Sequence, residues 1–272
     1  MLAPFDLSHF GFKKFNFSSH PDISINYSET LDKFSAPKKT YCIDEKSAFY
    51  FRKDFANYVV KNGNEINIHC LNGINKKSIE NCSLNFPIAL CMNQKGYLVM
   101  HASCVEYKNK TFLFSGPSHS GKSSLAASIM NKGGKLIAED LSVIDLKTRS
   151  VILANNYIKL SKRVANILDF SNDSVLHGSS ENRFGYNVQG GNFSTRAIDL
   201  CFFLNWGESL EVSEASSKKI LENLYKFCFV GKSELSQKKI IKLMSKFKFY
   251  NLTLQKNLDY LKDNSNFIDE FV

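Results

Sequence analysis

The stretch Gly116-Pro117-Ser118-His119-Ser120-Gly121-Lys122-Ser123 fits the pattern G-x-x-x-x-G-K-S/T. In loops of this kind, backbone N–H groups surround a phosphate chain, the lysine reaches the outer phosphates and the serine hydroxyl binds Mg²⁺. Residues 111–115 before it form a short apolar β-type run, and residues 122–131 after it show a helical pattern that Gly133 and Gly134 end. A strand–loop–helix junction directs free N–H groups and the helix dipole at an anion. We therefore predict a phosphate-binding loop, the alternative being a Gly/Ser turn that happens to precede a helix.

Length and composition narrow the class of protein. The chain of 272 residues suffices for one large domain or two modest ones. No apolar run approaches the ~20 residues of a membrane span, and Met1 to His20 lacks the continuous apolar segment of a signal peptide. The seven cysteines are scattered without a C-x-x-C pair, which argues against structural zinc and a disulfide framework. A cytoplasmic location is therefore expected.

The net charge of +9 is concentrated late in the chain. Residues 216–248 contain nine lysines against two glutamates. This excess is typical of a solvated face on two amphipathic helices, and the alternative is a surface that attracts an acidic partner. The chain has only five arginines, which argues against dedicated nucleic-acid recognition.

The first part of the chain is predicted to be β-rich. Residues 58–60 and 66–70 flank an Asn62-Gly63 turn and predict a hairpin. Residues 86–92 fit a short buried helix or strand equally well. A turn at 93–96 marks the predicted boundary between a β-rich N-terminal domain, 1–95, and a second domain, 96–272.

A second hairpin leads into the phosphate-binding loop. Residues 97–107 are predicted to be one strand and 108–110 a tight turn centred on Asn109. Paired residue numbers would then sum to 218, so that Ser103 faces Ser115. This register brings His101 to the mouth of the loop, since side chains alternate between the two faces of a strand. The alternative is a histidine that ends a strand and bonds a backbone carbonyl.

Two adjacent acids follow the next predicted strand. Residues 136–138 are expected to run parallel to the loop strand through a right-handed crossover. Glu139 and Asp140 then lie at the carboxyl end of the sheet, where ligands bind in open α/β sheets. One carboxylate could hold Mg²⁺ and the other could accept a proton from an attacking hydroxyl. The alternative is a solvated acidic turn.

The last hundred residues predict core elements and specify no substrate. An apolar run at 197–205 predicts a central strand. Helical spacing at 216–230 and 235–247 predicts two helices, and alternation at 250–254 predicts a terminal strand. The order of the acidic tail, 263–272, is left open.

Three motifs together resemble a known family. The runs 101–105, 116–124 and 136–140 are similar to the catalytic domain of HPr kinase/phosphorylase and its HPr kinase-like relatives, which are P-loop serine kinases. The match covers about 45 residues, 101–145. It implies an α/β fold with a P-loop kinase core of the HPr kinase/PEP carboxykinase type and a β-rich N-terminal domain. The layout is closest to the short relatives from peptide-modification (lasso peptide) clusters.

The resemblance implies roles for individual residues. Lys122 would contact the β-phosphate and the transferred group, and His101 would assist transfer. Glu139 would be the general base, and Ser123 and Asp140, with Glu139, would hold the metal. The nucleotide would contact the whole loop including Ser124.

Three departures from the family pattern matter. Glu139 replaces an aspartate and is one methylene longer, which shifts the base by about 1 Å. His119 occupies a position that is often glycine in the relatives. The Glu-x-Arg-Gly-x-Gly-type signature that accompanies phosphorylase activity in the family is not found, and Glu181-Asn182-Arg183-Phe184-Gly185 resembles it only faintly. The resemblance therefore does not extend to phosphorylase activity. Arg183 is thus a candidate phosphate or substrate contact, with an ordinary surface arginine as the alternative.

The sequence therefore predicts an ATP- and Mg²⁺-dependent phosphotransferase that acts on a serine hydroxyl of a peptide or protein. Its partners would be a nucleotide and this acceptor, with no nucleic acid and no membrane. Two alternatives remain open, a nucleotide-binding regulatory module without transfer activity and a kinase of a small-molecule or glycan hydroxyl. The acceptor, the preferred phosphoryl donor and the oligomeric state are not specified.

Overall fold

The structure is a computed structural model that describes residues 23–31, 41–43, 46–52, 55–74, 85–152, 157–170, 175–179, 183–188, 195–231 and 234–272. Residues 1–20 lie outside these ranges, as do Glu181 and Asn182 of the segment that faintly resembles the phosphorylase signature. The described part is a mixed α/β structure with several sheets. None of its helices has the length and apolar character that crossing a membrane requires.

Strands and helices are numbered in chain order. The strands are β1 (Ser24–Leu31), β2 (Tyr41–Cys42), β3 (Ser47–Arg52), β4 (Ala56–Lys61), β5 (Glu65–Leu71), β6 (Leu98–Met100), β7 (Ala102–Tyr107), β8 (Lys110–Ser115), β9 (Lys135–Ala138), β10 (Ser142–Asp145), β11 (Ser150–Val151), β12 (Tyr157–Ser161), β13 (Val175–Ser179), β14 (Arg183–Asn187), β15 (Arg196–Ala197), β16 (Leu200–Gly207), β17 (Glu211–Glu214) and β18 (Lys248–Gln255). The α-helices are α1 (Asn85–Gln94), α2 (Lys122–Asn131), α3 (Lys162–Ile167), α4 (Ser217–Phe227) and α5 (Glu234–Lys246), followed by 3₁₀ segments Leu258–Tyr260 and Asp263–Phe271.

A six-stranded sheet in the order β17-β18-β16-β8-β7-β9 carries the phosphate-binding loop. Its centre is parallel, because β16 pairs with both β18 and β8 in the same direction. The predicted central strand at 197–205 is present as β16, which begins at Leu200 and buries its first five residues, while Ala197 belongs to β15. One face packs against α2 and the C-terminal 3₁₀ segment, and the other packs against α4 and α5.

The strand, loop and helix predicted around residues 111–131 are present. β8 ends at Ser115, and α2 begins at Lys122 and ends at Asn131. Gly133 has a φ of 96°, a left-handed conformation that suits glycine after a helix. Local pattern sufficed here, since an apolar strand and a helical stripe are short-range signals.

The hairpin before the loop differs from its prediction in two respects. The predicted strand 97–107 is broken at His101, because β6 pairs with β10 in another sheet and the His101 N–H donates to Phe227 O at the end of α4. The pairing of the two strands is also shifted by one residue from the prediction. Ala102 pairs with Ser115, because Lys108 and Asn109, with φ of 47° and 64°, form a two-residue turn.

The strand after α2 runs in the predicted direction but in a different place. β9 and β8 are both antiparallel to β7, so they are parallel to each other with β7 between them. The crossover therefore passes over one strand. Glu139 and Asp140 nevertheless follow the carboxyl end of β9, at the same edge of the sheet as the loop.

Residues before the predicted boundary form a five-stranded sheet in the order β1-β5-β4-β3-β2. The predicted hairpin is present as β4 and β5, with left-handed Asn62 and Gly63 in its turn. Residues 86–92 are helical, within α1. The core of this sheet includes Val99, Leu141 and Val143 from beyond residue 95, and the boundary at 95/96 stays a prediction.

The C-terminal elements follow their predictions closely. Both predicted helices are present as α4 and α5, and the terminal strand is β18. The tail whose order was left open is a 3₁₀ segment that buries Phe267 and Ile268 in the core. Polar composition concealed this role because only a few apolar side chains do the packing.

Candidate active site

A cavity of about 590 Å³ opens at the carboxyl edge of the six-stranded sheet. Its volume is in the range of roughly 300–1,000 Å³ that small-molecule sites occupy. Among the described residues, the charged side chains that line it are four cations and one carboxylate, namely Lys122, Lys159, Arg183, Lys256 and Asp140. This balance favours a polyanionic ligand.

The shape of the phosphate-binding loop depends on the part of β16 that extends past the end of β8. This strand continues past the end of β8 to Gly207. A side chain on Gly116 would place its Cβ 2.9 Å from Leu204 O, and one on Gly121 would place it 2.9 Å from the Trp206 ring. Both glycines of the motif are therefore required by close approach, and Gly121 also has a φ of 90°.

Trp206 also bonds the loop directly. Its Nε1–H donates to His119 O at 3.0 Å. His119 has a φ of 64°, a left-handed conformation that L-residues adopt at a cost of about 1 kcal/mol. His119 thus adopts the conformation that favours glycine, and Trp206 on β16 holds its carbonyl in place.

The N-terminus of α2, at the end of the loop, has N–H groups that can bind an anion. Gly121, the residue before α2, provides no side-chain cap, so the first N–H groups of the helix lack that partner. Lys122 is buried, and its Nζ donates to Gly116 O at 3.0 Å and to Pro117 O at 2.9 Å. Burial lowers the pKa of Lys122, and Asp140 and Glu139 raise it in part.

Glu139 lies beneath the loop and is only 1 % exposed. Ser123 Oγ donates to its Oε1 at 2.6 Å, and Ser103 Oγ donates to its Oε2 at 2.8 Å. Burial, followed by the charge of Asp140, raises the pKa of Glu139, while the two serine hydroxyls lower it. Glu139 is therefore fixed at both oxygens and is not among the residues that line the cavity.

Asp140 points the other way, into the cavity. Its φ of 62° is left-handed, and its Oδ2 accepts from Lys159 Nζ at 2.7 Å. On its other oxygen, His101 Nε2 lies 4.0 Å from Oδ1. Burial alone would raise the pKa of Asp140, but Lys159, with His101 and Arg183, lowers it to about 2.

His101 lines the same cavity. Burial, followed by the charge of Lys122, lowers the pKa of His101 to about 4, although Asp140 raises it in part. Its imidazole is consequently neutral near pH 7. The sequence predicted His101 at the mouth of the loop from a register that was wrong by one residue. His101 still lies beside the end of β8, where its carbonyl accepts from Ser115 Oγ at 3.0 Å, because the strand is broken at this residue.

Arg183 connects the three-stranded sheet β12-β14-β13 to the loop. Its Nη2 donates to Ser123 Oγ at 3.0 Å and to Lys159 O at 2.7 Å. Arg183 is thus no ordinary surface arginine. It supplies a cation beside the serine that the loop pattern assigns to Mg²⁺.

The oxygen donors around Ser123 fit Mg²⁺, which prefers carboxylate, phosphate and water oxygens. The Ser123 hydroxyl and the Glu139 carboxylate are 2.6 Å apart. Within the described ranges, no group of three or more His, Cys, Asp and Glu side chains is arranged to hold a metal ion. A Mg²⁺ at Ser123 would therefore need ligands from the phosphates of its nucleotide and from water.

The structure brings together the loop, His101, Glu139, Asp140 and Arg183, and it adds residues that the sequence did not indicate. These are Ser103, Lys159, Trp206 and an apolar wall formed by Val164, Leu258 and Leu261. Apart from Ser103, no local pattern marked them, because they come from distant strands and from the C-terminal segment. Only Ser103 carried a signal, its shared face with the predicted loop mouth.

Fold and site together define an α/β protein with a phosphate-loop motif at the edge of a sheet. No protein-family model and no curated protein matches the sequence. Among solved structures, the Hpr(Ser) kinase/phosphatase from Coxiella burnetii is similar with a TM-score of 0.32 and 12 % identity, over 64 % of this chain and 95 % of that chain. At this TM-score the likeness supports no conclusion about activity, and closeness to the lasso-peptide relatives stays a prediction.

Proposed function

We propose that this protein is an ATP- and Mg²⁺-dependent phosphotransferase that phosphorylates a serine hydroxyl of a peptide or protein. The observation that carries the proposal is that the two adjacent acids, Glu139 and Asp140, point to different parts of the site. Glu139 bonds the loop serine, and Asp140 faces the cavity beside His101 and Lys159. A site that only held a nucleotide would have no evident use for the second arrangement.

The phosphate side of the site consists of the loop, Lys122 and Ser123. Backbone N–H groups and the α2 N-terminus bind the phosphates, and Lys122 exchanges its loop carbonyls for phosphate oxygens. Ser123, held by Glu139, would bind Mg²⁺, which would neutralise charge on the phosphates. Arg183, whose Nη2 is 3.0 Å from Ser123 Oγ, is suited to the transferred group.

The acceptor side consists of Asp140 and His101. The family resemblance gives the proton-accepting role to Glu139 and a metal role to Asp140, and we propose the reverse. Glu139 is buried with both oxygens bonded, whereas Asp140 lines the cavity. A carboxylate with a pKa of about 2 is a weak base, so Asp140 first orients the serine hydroxyl. It accepts the hydroxyl proton late in a loose transition state, when the forming O–P bond has made that proton acidic.

Substitutions at the two acids separate these roles. We expect Asp140→Asn to lower transfer at least a hundredfold without weakening Mg-ATP binding, because this carboxylate faces the acceptor and does not attract the phosphates. Glu139→Gln should raise the Mg²⁺ concentration that half-maximal binding of ATP requires, because Glu139 holds the Ser123 hydroxyl that would bind the ion. Calorimetric titration and peptide mass spectrometry measure the two effects. Full transfer by Asp140→Asn would overturn the acceptor-side assignment.

The alternative, a nucleotide-binding module without transfer, is favoured by one observation. The glutamate expected to act as base is out of the cavity. This alternative predicts Mg-ATP binding by the wild type, abolished in Lys122→Ala, with no phosphorylated product from any serine-containing peptide. A kinase of a small-molecule or glycan hydroxyl would instead consume ATP only with such an acceptor.

A further inference from the structure

Lys159 is a lysine with little contact with solvent, in a strand that the sequence did not connect with the site. It lies on β12, its side chain is 18 % exposed, and its Nζ is 2.7 Å from Asp140 Oδ2. We propose that Lys159 is a positioning residue for Asp140, one that fixes this carboxylate in the cavity and neutralises it against the bound phosphates. The proposal rests on the proposed function for its role in transfer.

Backbone geometry shows why Asp140 needs such a partner. With φ of 62° it is left-handed directly after β9, a conformation that an L-residue adopts at a cost. This turn sends the side chain of Asp140 into the cavity while Glu139 points beneath the loop. The ammonium of Lys159 on one oxygen and His101 beside the other define where the carboxylate lies.

The backbone of Lys159 is fixed as well. Its carbonyl accepts from Arg183 Nη2 at 2.7 Å, and the same nitrogen donates to Ser123 Oγ at 3.0 Å. The three-stranded sheet therefore reaches both parts of the site, Ser123 through Arg183 and Asp140 through Lys159. A surface salt bridge would have no comparable connection to the loop.

Charge explains what Lys159 contributes beyond geometry. A carboxylate in a phosphate-binding cavity repels its own ligand, and a unit charge about 10 Å away in an effective dielectric of about 20 changes affinity by about tenfold. Paired with Lys159, Asp140 presents no net charge to the phosphates. Lys122, Arg183 and Lys256 then remain as the other cations that line the cavity.

The test is a cycle of Lys159→Met, Asp140→Asn and the double variant, with affinity for Mg-ATP measured by calorimetry. We expect Lys159→Met to weaken binding about tenfold and the double variant to restore it to within about threefold of wild type. Lys159→Arg should retain wild-type affinity. Lys162→Met, which removes a nearby charge that lies over the Phe184 ring, is the matched control and should change affinity less than threefold.

Turnover provides the second measurement. Because Lys159 acts through Asp140, Lys159→Met should lower kcat, and the double variant should be no slower than Asp140→Asn alone. Melting temperatures identify any variant that fails to fold, and Lys159→Arg replaces Lys159→Met in that case, with the prediction that it keeps wild-type kcat within about threefold.

Two outcomes would overturn the assignment, and each differs from failure of the proposed function. If the double variant binds Mg-ATP as poorly as Lys159→Met, Lys159 contacts the phosphates directly. If the losses in kcat multiply, the two residues act separately. A wild type that binds Mg-ATP but transfers nothing would instead end the proposed function, together with any role of Lys159 in transfer, while the binding cycle still decides whether it neutralises Asp140.

Discussion

Trp206 is one residue whose importance came only from the structure. It is the single tryptophan of the chain, it is 40 % exposed at the cavity, and it holds the carbonyl of His119. Its indole therefore meets the loop on one side and the cavity on the other.

We predict that Mg-ATP changes the intrinsic fluorescence of the wild type, since this is the only indole present. Trp206→Phe should weaken Mg-ATP binding by about fivefold, because a hydrogen bond contributes roughly 1 kcal/mol. Calorimetry measures that affinity. Tyr225→Phe, an exposed aromatic on α4, is the control. Unchanged affinity in Trp206→Phe would mean that the loop needs no support from β16.

His101 should leave a signature in the pH dependence of stability. Its pKa is about 4 in the folded protein and about 6.5 when unfolded, so the unfolded state binds more protons between these values. Stability should therefore fall as pH drops through this window. From pH 7 to 5 the wild type should lose about 2 kcal/mol more than His101→Gln. Denaturant unfolding at both pH values measures this difference, and equal losses in the two proteins would contradict the burial of His101.

At the scale of elements, the local part of the site could be predicted and the remote part could not. β8, the loop, α2 and the acids after β9 follow from runs of fewer than about twelve residues, where periodicity and glycine signals act. The break at His101 depends on pairing with the end of α4, more than a hundred residues later. Lys159 and Trp206 likewise reach the cavity through sheet order, which no local pattern encodes.

The loop glycine Gly121 and the glycine after the same helix, Gly133, form a matched pair. Both are left-handed, with φ of 90° and 96°, but a Cβ meets the Trp206 ring only at Gly121. Gly133→Ala should cost about 1 kcal/mol, the price of the left-handed conformation alone. Gly121→Ala should cost more and should abolish Mg-ATP binding. Equal unfolding free energies for the two variants, together with retained Mg-ATP binding by Gly121→Ala, would show that the end of β16 does not shape the loop.

A buried lysine joins α5 to the end of α1. Lys239 is 8 % exposed, and its Nζ donates to Asn93 O, Asn93 Oδ1 and Tyr97 O. Carbonyl groups at a helix C-terminus lack partners within the helix, and Lys239 supplies one across the predicted domain boundary.

Lys239→Met should therefore lower the free energy of unfolding by about 2–3 kcal/mol, because Asn93 Oδ1 and Tyr97 O lose this donor, whereas Asn93 O keeps its bond from the Gly96 N–H. The neighbouring Lys238 is exposed and pairs with Glu234 on its own helix, so Lys238→Met should change it by less than about 1 kcal/mol. Urea unfolding of both variants provides the comparison. Similar values for the two would indicate that α1 is held by apolar contacts alone.

At the scale of the whole molecule, the cavity gathers chain segments that lie far apart in sequence. The six-stranded sheet provides the loop, the acids and Trp206, the three-stranded sheet provides Lys159 and Arg183, and the segment around Leu258 and Leu261 closes one wall. The C-terminal segment is fixed at its far end by Asp269, which accepts from Tyr107, Lys108 and Lys132. The site thus depends on most of the chain after residue 100.

The central claim is transfer of a phosphoryl group from Mg-ATP to a serine hydroxyl. The most direct measurement is mass spectrometry of serine-containing peptides, beginning with short peptides encoded beside this gene, after incubation with the protein and Mg-ATP. We predict one added phosphoryl group on a serine with the wild type and with Lys218→Ala, which removes an exposed lysine on α4 as a control. No product is expected with Lys122→Ala or Asp140→Asn. Product of equal yield from Lys122→Ala, or none from a wild type that binds Mg-ATP, would contradict the account.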